Sequence, residues 1–478
     1  MSTPRIRFVT KRDGLMVPFD PARITNAIHK AVLAVEPHRG EAKAREIASK
    51  FSSEVVDNLR SKCASDEAPH VETIQDILIE VLHHDLARGK DSYSSRPESL
   101  WMAYMLYREG HRLVRNGEMR EEDFHPDARP TKKLDSLRMW NKAHDCDTVE
   151  GLNRWLSGRH LNELIRGAER RSIECLRGVV SRLGRAIEEG GLRAIVITGP
   201  SSSGKTVTTR KMLRLLKETH PGVAFKALEV DNYFRDKSTA ERFHYNVDGA
   251  VVEDPNFELP STYDIALLNE HLEALMRGEG VLSPKYDFIS GQRTGEMVPF
   301  SLERGEVLLI DCMHALYPPM TEAIPQGKKF KLYLEPLAVL EDMEKKPVYF
   351  TDIRLLRRMK RDKEARGHSI EATLMHWHLV RKGERYILPF VHSADAIIDT
   401  GLPYELAALK AEVERDLRAV LPLFQRNEDL FDGMYRGERV LNLLSQIASA
   451  SPGQIGMIPP DSVLREFIGG SVFFPKVR

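Results

Sequence analysis

At 478 residues the chain exceeds one ordinary domain, so two or three are expected. Its 42% hydrophobic and 29% charged residues are those of a globular protein, and 70 acidic against 70 basic residues argue against a nucleic-acid partner. No apolar run reaches membrane length, the first residues lead into no signal-peptide core, and Cys63, Cys146, Cys175 and Cys312 form no C-x-x-C pair. A cytoplasmic protein with no membrane partner, zinc ribbon or disulfide framework is the expectation.

Residues 1–112 read as a small α/β unit. Segments 6–9 and 16–19 are short strand candidates around a turn at Asp13-Gly14, and Asp20-Pro21 opens a helix with Ile24, Ala27, Ile28 and Ala31 on one face. Further helical patterns cover 42–62, 71–86 and 99–115. Residues 113–148 carry Gly117, Pro126, Pro130 and many charges with little periodicity, which reads as a linker. A helical lead-in is expected over 149–192, with Leu161, Leu164, Ile165 and Ala168 on one stripe. Strands alternate with helices over 193–425, which predicts a mostly parallel sheet flanked by helices, and 426–478 reads as a helical extension.

The strongest chemical signal is Gly199-Pro200-Ser201-Ser202-Ser203-Gly204-Lys205-Thr206, which fits G-x-x-x-x-G-K-[ST]. An apolar strand, 194–198, runs into it, and a helical pattern with Met212, Leu213, Leu215 and Leu216 runs out. Glycines let backbone N–H groups converge on phosphate oxygens, and the helix start adds partial positive charge. Lys205 is placed to reach the β- and γ-phosphates of ATP, and Thr206 to offer its hydroxyl to Mg²⁺.

Two carboxylates follow strands at the edge where such sheets bind ligands: Asp231 after 225–230, and Asp311 at the end of 307–310. At the position of Asp311 an acidic residue is a usual route to the metal, directly or through water, and Asp231 reads either as a cap of the next turn or as a catalytic group. Arg354, Arg357, Arg358, Arg361 and Arg366 share one short helical segment. Such a basic face is either solvated or, since guanidinium suits phosphate, a clamp. Lys11 and Arg12 beside a glycine turn read either as a solvated hairpin tip or as a second triphosphate site. The histidines, His376 and His378 included, show no ligand spacing and read as structural.

Two stretches resemble known families. Val9, Lys11-Arg12-Asp13-Gly14, Phe19-Asp20, Arg23-Ile24, Ala27-Ile28, 71–76 and 103–108 resemble an ATP-cone, a nucleotide-sensing module. That implies ATP or dATP bound at Lys11 and Arg12, with regulation as its purpose. From Leu161 to the C-terminus the chain resembles the phosphoribulokinase/uridine kinase family, through the phosphate loop, Val230-Asp231-Asn232-Tyr233-Phe234, Pro284-Lys285-Tyr286-Asp287-Phe288-Ile289 and Arg361-Asp362 with Arg366-Gly367-His368-Ser369. A uridine kinase-like branch also matches 462–470. The resemblance implies that Asp231 is the general base near Mg²⁺, that Arg361 and Arg366 close over phosphate, and that Glu258, Tyr286 and Arg354 bind the acceptor. Two departures matter. Asp311-Cys312 stands where the family has Glu-Gly, and Gly291 stands where its base-reading histidine lies.

Three readings stay open. One is an ATP- and Mg²⁺-dependent kinase of a nucleoside hydroxyl, uridine or cytidine, regulated by its N-terminal domain and expected to be a homo-oligomer. The second changes the acceptor to a sugar, polyol or phosphosugar. The third is a nucleotide-responsive regulator with a vestigial kinase fold, which intact Lys205, Thr206 and Asp231 argue against.

Overall fold

The computed structural model describes residues 6–11, 16–35, 40–62, 68–71, 73–75, 77–78, 81–82, 104, 131–158, 160–337, 339–345, 348–365, 367–427 and 430–474. The chain divides into two compact units, Met1–Ala128 and Arg129–Arg478. Arg12, Asp13, Arg366 and most of the helical patterns expected at 71–86 and 99–115 lie outside the described residues.

In the first unit β1 (Phe8–Thr10) pairs antiparallel with β2 (Met16–Pro18), Val9 opposite Val17. Pro21 opens α1 (Pro21–Val35), where a missing N–H costs nothing, and the Asp20 carboxylate accepts from the Ala22 N–H at 3.0 Å. The apolar face expected at Ile24, Ile28 and Ala31 packs with Ile47, Phe51 and Val55 of α2 (Gly40–Lys62).

The second unit begins inside the stretch expected to be a linker. Residues 131–143 form α3 (Thr131–Ala143), ahead of α4 (Val149–Ser157) and α5 (Leu161–Glu188). Leu137 and Cys146 are buried, Asn141 Nδ2 donates to the Val339 carbonyl at 2.8 Å, and Thr148 caps α4 by accepting from the Gly151 N–H at 3.1 Å. The buried stripe of α3 is narrow and runs among Lys133, Asp135 and Arg138, so its period is hidden by charge.

The remaining elements run in chain order through β3 (Ala194–Thr198), α6 (Lys205–Thr219), β4 (Phe225–Leu228), β5 (Arg242–Val247), β6 (Ala250–Pro255), α7 (Ile265–Arg277), β7 (Val281–Asp287), β8 (Gln292–Phe300) and β9 (Val307–Asp311). Then come β10 (Lys329–Glu335), α8 (Phe350–Ala365), α9 (Ile370–Gly383), β11 (Ala396–Asp399), α10 (Glu405–Gln425), α11 (Phe431–Gln446), α12 (Pro452–Gly456) and α13 (Arg465–Ile468). Five strands form one sheet in the order β11-β10-β3-β9-β4, and every neighbouring pair is parallel. All five residues of β3 are buried, as a strand covered on both faces requires. Leu183 of α5 and Leu216 of α6 pack on Ile195 and Leu332, while Leu356, Trp377 and Leu409 anchor a second core among α8, α9 and α10.

Because the strands are parallel, β3, β4 and β9 deliver the phosphate loop, Asp231 and Asp311 to one edge. The hairpins β5–β6 and β7–β8 lie outside the sheet. Among the described residues, no helix is long and apolar enough to cross a membrane.

Candidate active site

The phosphate loop is a turn whose backbone dictates its residues. Gly204 has φ +82°, and a side-chain carbon there would lie 2.6 Å from Val463 Cγ2, so only glycine fits. Ser202 also takes a left-handed φ of +62°, a conformation that functional loops hold at a cost. The Ser202 and Ser203 hydroxyls are buried and lack a partner. Lys205 Nζ donates to the Gly199 carbonyl at 2.7 Å, and Thr206 is half-buried in the first turn of α6. Thr400 Oγ1 donates to the Ser203 carbonyl at 2.5 Å, and Arg357 Nη1 to the Ser202 carbonyl at 3.5 Å. Orphaned hydroxyls, a strained serine and the amide end of a helix fit a polyphosphate.

Asp231 sits in a single turn, Val230–Tyr233, directly after β4. It is exposed on the wall of a cleft of about 1210 Å³, and its Oδ1 accepts from the Tyr263 hydroxyl at 3.3 Å. Burial, then the neighbouring Cys312 and Asp231, push the Tyr263 phenol far up, so it stays a donor. Asp311 ends β9 opposite Ile197. Burial raises its pKa, Lys205 pulls it down, and Glu466 raises it further. Cys312 is buried, and desolvation with Asp231 beside it raises its thiol to about 12, so it is an inert neighbour.

The third carboxylate, Glu466, comes from α13, and its Oε2 accepts from the Val207 N–H of α6 at 3.4 Å. Among the described residues, no group of three or more His, Cys, Asp or Glu is arranged for a metal. Thr206 and Asp311 carry oxygen donors of the kind magnesium takes.

The same cleft is lined by Phe234, Phe257, Glu258, Tyr286 and Arg358 among others. Glu258 is buried with its Oε1 shared, 2.9 Å from Arg358 Nη1 and 3.2 Å from His376 Nε2. Burial alone would raise its pKa, but Arg358 and His376 hold it well below the usual carboxylate range. Burial likewise opposes charge on His376, yet Asp254, 2.9 Å from Nδ1, and Glu258 raise it to about 9. A protonated imidazole thus bridges two carboxylates on the cleft wall. Arg358 carries the network on, to Asp362 at 3.1 Å and to Ser201 Oγ of the phosphate loop at 2.9 Å.

Arg354, expected to bind the acceptor, is not among the residues that line the cleft. It is wholly buried, paired with Glu335 at 2.7 Å and Glu384 at 2.6 Å, and its Nη1 reaches the Ser201 carbonyl at 3.3 Å. Arg357 is equally buried against Glu405 at 2.7 Å. These two arginines hold the loop from behind. Carboxylates from β10, from the turn just after α9 and from α10 draw them inward, and the helical segment alone does not reveal those partners. Arg361 is half-buried beside Asp362 at 3.1 Å, and Arg366 lies outside the described residues. Lys11 is half-buried in the first unit.

Sequence reasoning gave no role to Asp254, Lys237 or Glu466, read His376 as structural and placed Arg358 only within the row of arginines. The i, i+4 spacing of Arg358 and Asp362 was a usable signal for one of them. The others meet only through tertiary contacts.

A family model for the Phosphoribulokinase / Uridine kinase family matches residues 194–403, and one for the ATP cone domain matches 7–113. The chain is 29% identical to a uridine kinase of Deinococcus deserti over 223 residues, 44% of this chain and 90% of that one. It is also 29% identical to uridine kinases of Aliivibrio salmonicida, covering 47% and 94%, and of Staphylococcus haemolyticus, covering 43% and 87%. Residues 194–403, which hold the phosphate loop, both strand-end carboxylates and the cleft, therefore form a phosphoribulokinase/uridine kinase family domain, joined in one chain to an ATP cone domain at 7–113.

Proposed function

We propose that this chain transfers the γ-phosphoryl group of ATP, with Mg²⁺, to the 5′-hydroxyl of a nucleoside, uridine or cytidine. The observation that carries the reading is the cleft, which has Asp231 on its wall and Phe234, Phe257, Tyr286 and Phe288 around an aromatic lining. Asp231, exposed to the cleft, is the group proposed to accept the proton of an acceptor hydroxyl, with Tyr263 steadying one of its oxygens. Lys205 and the amides of 202–206 bind the phosphates and stabilise charge on the moving group. Thr206 and Asp311, with Asp231 near, are the residues for Mg²⁺, which when bound neutralises phosphate charge. Arg361 and Arg366 are proposed to close over the phosphates. Glu258 fits a role in shaping the sugar site, its charge fixed by Arg358 and His376.

The test is ADP release from Mg-ATP with uridine, cytidine, ribose and ribose 5-phosphate. Turnover confined to ribose 5-phosphate would replace this reading with a phosphosugar kinase. ATP hydrolysis unaffected by every acceptor would favour the regulator.

The ATP cone is proposed to bind ATP or dATP at Lys11 and Arg12 and to regulate the kinase, through oligomeric state or closure of the lid. A second ATP site adds no chemistry to an enzyme that already binds ATP. Coupling between such sites is usually worth about 1–3 kcal/mol, a several-fold change in rate. Lys11→Ala/Arg12→Ala in the full chain should alter the dependence of rate and sedimentation on ATP. Unchanged curves would leave the domain without a regulatory role.

A further inference from the structure

The phosphate loop is held from behind, and part of that support comes from outside residues 194–403. Ser202 keeps its left-handed φ of +62° only where its surroundings over-determine the turn. The Thr400 hydroxyl supplies one short contact, donating to the Ser203 carbonyl at 2.5 Å. A trans peptide is planar, with its C=O and N–H antiparallel. Turning the Ser203 carbonyl toward Thr400 therefore turns the Gly204 N–H the opposite way. In a glycine loop of this pattern, such N–H groups are what cradle phosphate.

Thr400 is held in turn through its two neighbours. Asp399, buried at the end of β11, accepts through Oδ1 from the Leu337 N–H at 3.0 Å and the Gly401 N–H at 2.8 Å. Its Oδ2 accepts from Arg171 Nη2 at 3.1 Å, and the same Nη2 donates to the Gly401 carbonyl at 3.3 Å. A side-chain carbon on Gly401 would lie 3.0 Å from Asp399 Oδ1 and 3.3 Å from the Leu337 nitrogen, so the turn closes tightly on that carboxylate. One guanidinium thus grips the residues on both sides of Thr400. From α8, Arg357 Nη2 adds a bond to the Thr400 carbonyl at 2.8 Å.

Arg171 belongs to α5 and is itself fixed by α3. Its Nη1 donates to Asn141 Oδ1 at 3.2 Å, and its guanidinium lies over the Trp140 ring at 4.6 Å. That ring is stacked on His144 with centroids 3.9 Å apart. A planar fork can serve a carboxylate, a carbonyl, an amide and an aromatic face at once, which a lysine cannot. A buried ion pair is often no more stabilising than apolar packing of the same size. What this one adds is direction.

We propose that Thr400 and Arg171 are positioning residues of the ATP site. Thr400 sets the peptide plane that presents the Gly204 N–H to phosphate, and Arg171 sets Thr400 through Asp399 and Gly401. The helices α3 and α5, which precede the residues matched by the kinase family, are then a working part of the nucleotide site. The inference rests on the reading of this loop as an ATP site.

The experiment is calorimetric titration of the full chain with Mg-ATP, with denaturant melts alongside. The proteins are the native chain, Thr400→Val, Thr400→Ser, Arg171→Met, Arg171→Lys and Asp399→Asn. Thr400→Val should raise the Kd for ATP about three- to ten-fold, the range for one hydrogen bond, and Thr400→Ser should restore it. Arg171→Met and Asp399→Asn should each raise it several-fold. Arg171→Lys, a point charge without the fork, should recover only part of the loss. Should Arg171→Met not fold, Asp399→Asn carries the test, since it keeps a carbonyl oxygen for both N–H groups and loses the charge that Arg171 pairs. A merely structural role predicts lower unfolding midpoints with an unchanged Kd in every variant. That result overturns the proposal while ATP binding stands. A weakened Thr400→Val beside native affinity in Arg171→Met and Asp399→Asn overturns the role of Arg171. A native chain that binds no ATP overturns the reading of the loop, and this inference with it.

Discussion

The protonated His376 is the most testable element of the cleft. Three charged groups face it from three places in the chain: Asp254 of β6, Glu258 of the following loop, and Arg358 of α8. An unfolded histidine titrates near 6.5 and this one at about 9, so the folded protein holds the proton more tightly. Its stabilisation is whole below pH 6.5 and is lost as pH rises through 9. At about 1.4 kcal/mol per tenfold, the contribution is at most about 3 kcal/mol. His376→Gln removes the titration and leaves Glu258 its Arg358 partner. Urea unfolding followed by tryptophan fluorescence suits the measurement, since Trp377 is the next residue and wholly buried. The native midpoint should fall between pH 6 and 9.5. The variant should start lower and change less, so that the two curves converge at high pH. Parallel curves across that window would refute the charged bridge.

Asp231→Asn should lower kcat by about 10²–10⁴ while ATP still binds, and full activity would remove Asp231 from the reaction. Lys205→Ala should mainly weaken ATP use, seen as a raised KM for ATP. Arg354→Met leaves Glu335 in the interior without its ion-pair partner and Glu384 with Arg381 alone, and should cost about 3–5 kcal/mol of stability in denaturant melts, whereas the acceptor role expected from sequence predicts a raised acceptor KM in a normally stable protein. Glu466→Gln removes a negative charge from the Val207 N–H and from beside Asp311, so the KM for ATP should fall several-fold; an unchanged KM would show that this carboxylate does not compete with phosphate.

Local backbone demands are what the sequence by itself determined. A strand, a glycine-bounded loop and a helix are specified by neighbours along the chain, so 194–219 could be read directly and the kinase family with it. Strand ends are nearly as local, and Asp231 and Asp311 reached the ligand edge because parallel strands all finish there. Pairing between distant segments was a different matter. The basic face of α8 was visible as a row of arginines, but helical period says only which residues share a side, not what meets them. Glu335, Glu384 and Glu405 took Arg354 and Arg357 into the interior, while Arg358 lines the cleft.

His376 read as structural because its partner Asp254 is 122 residues away. The helix at 131–143 was hidden by its own charges, and its role came from contacts with Val339 and Arg171. A truncation beginning at Thr148 would therefore remove Leu137, Asn141 and Cys146 from the second unit. Gly291 alone reads as a lost side chain, and only the tertiary structure shows the stem of Lys237 filling its place.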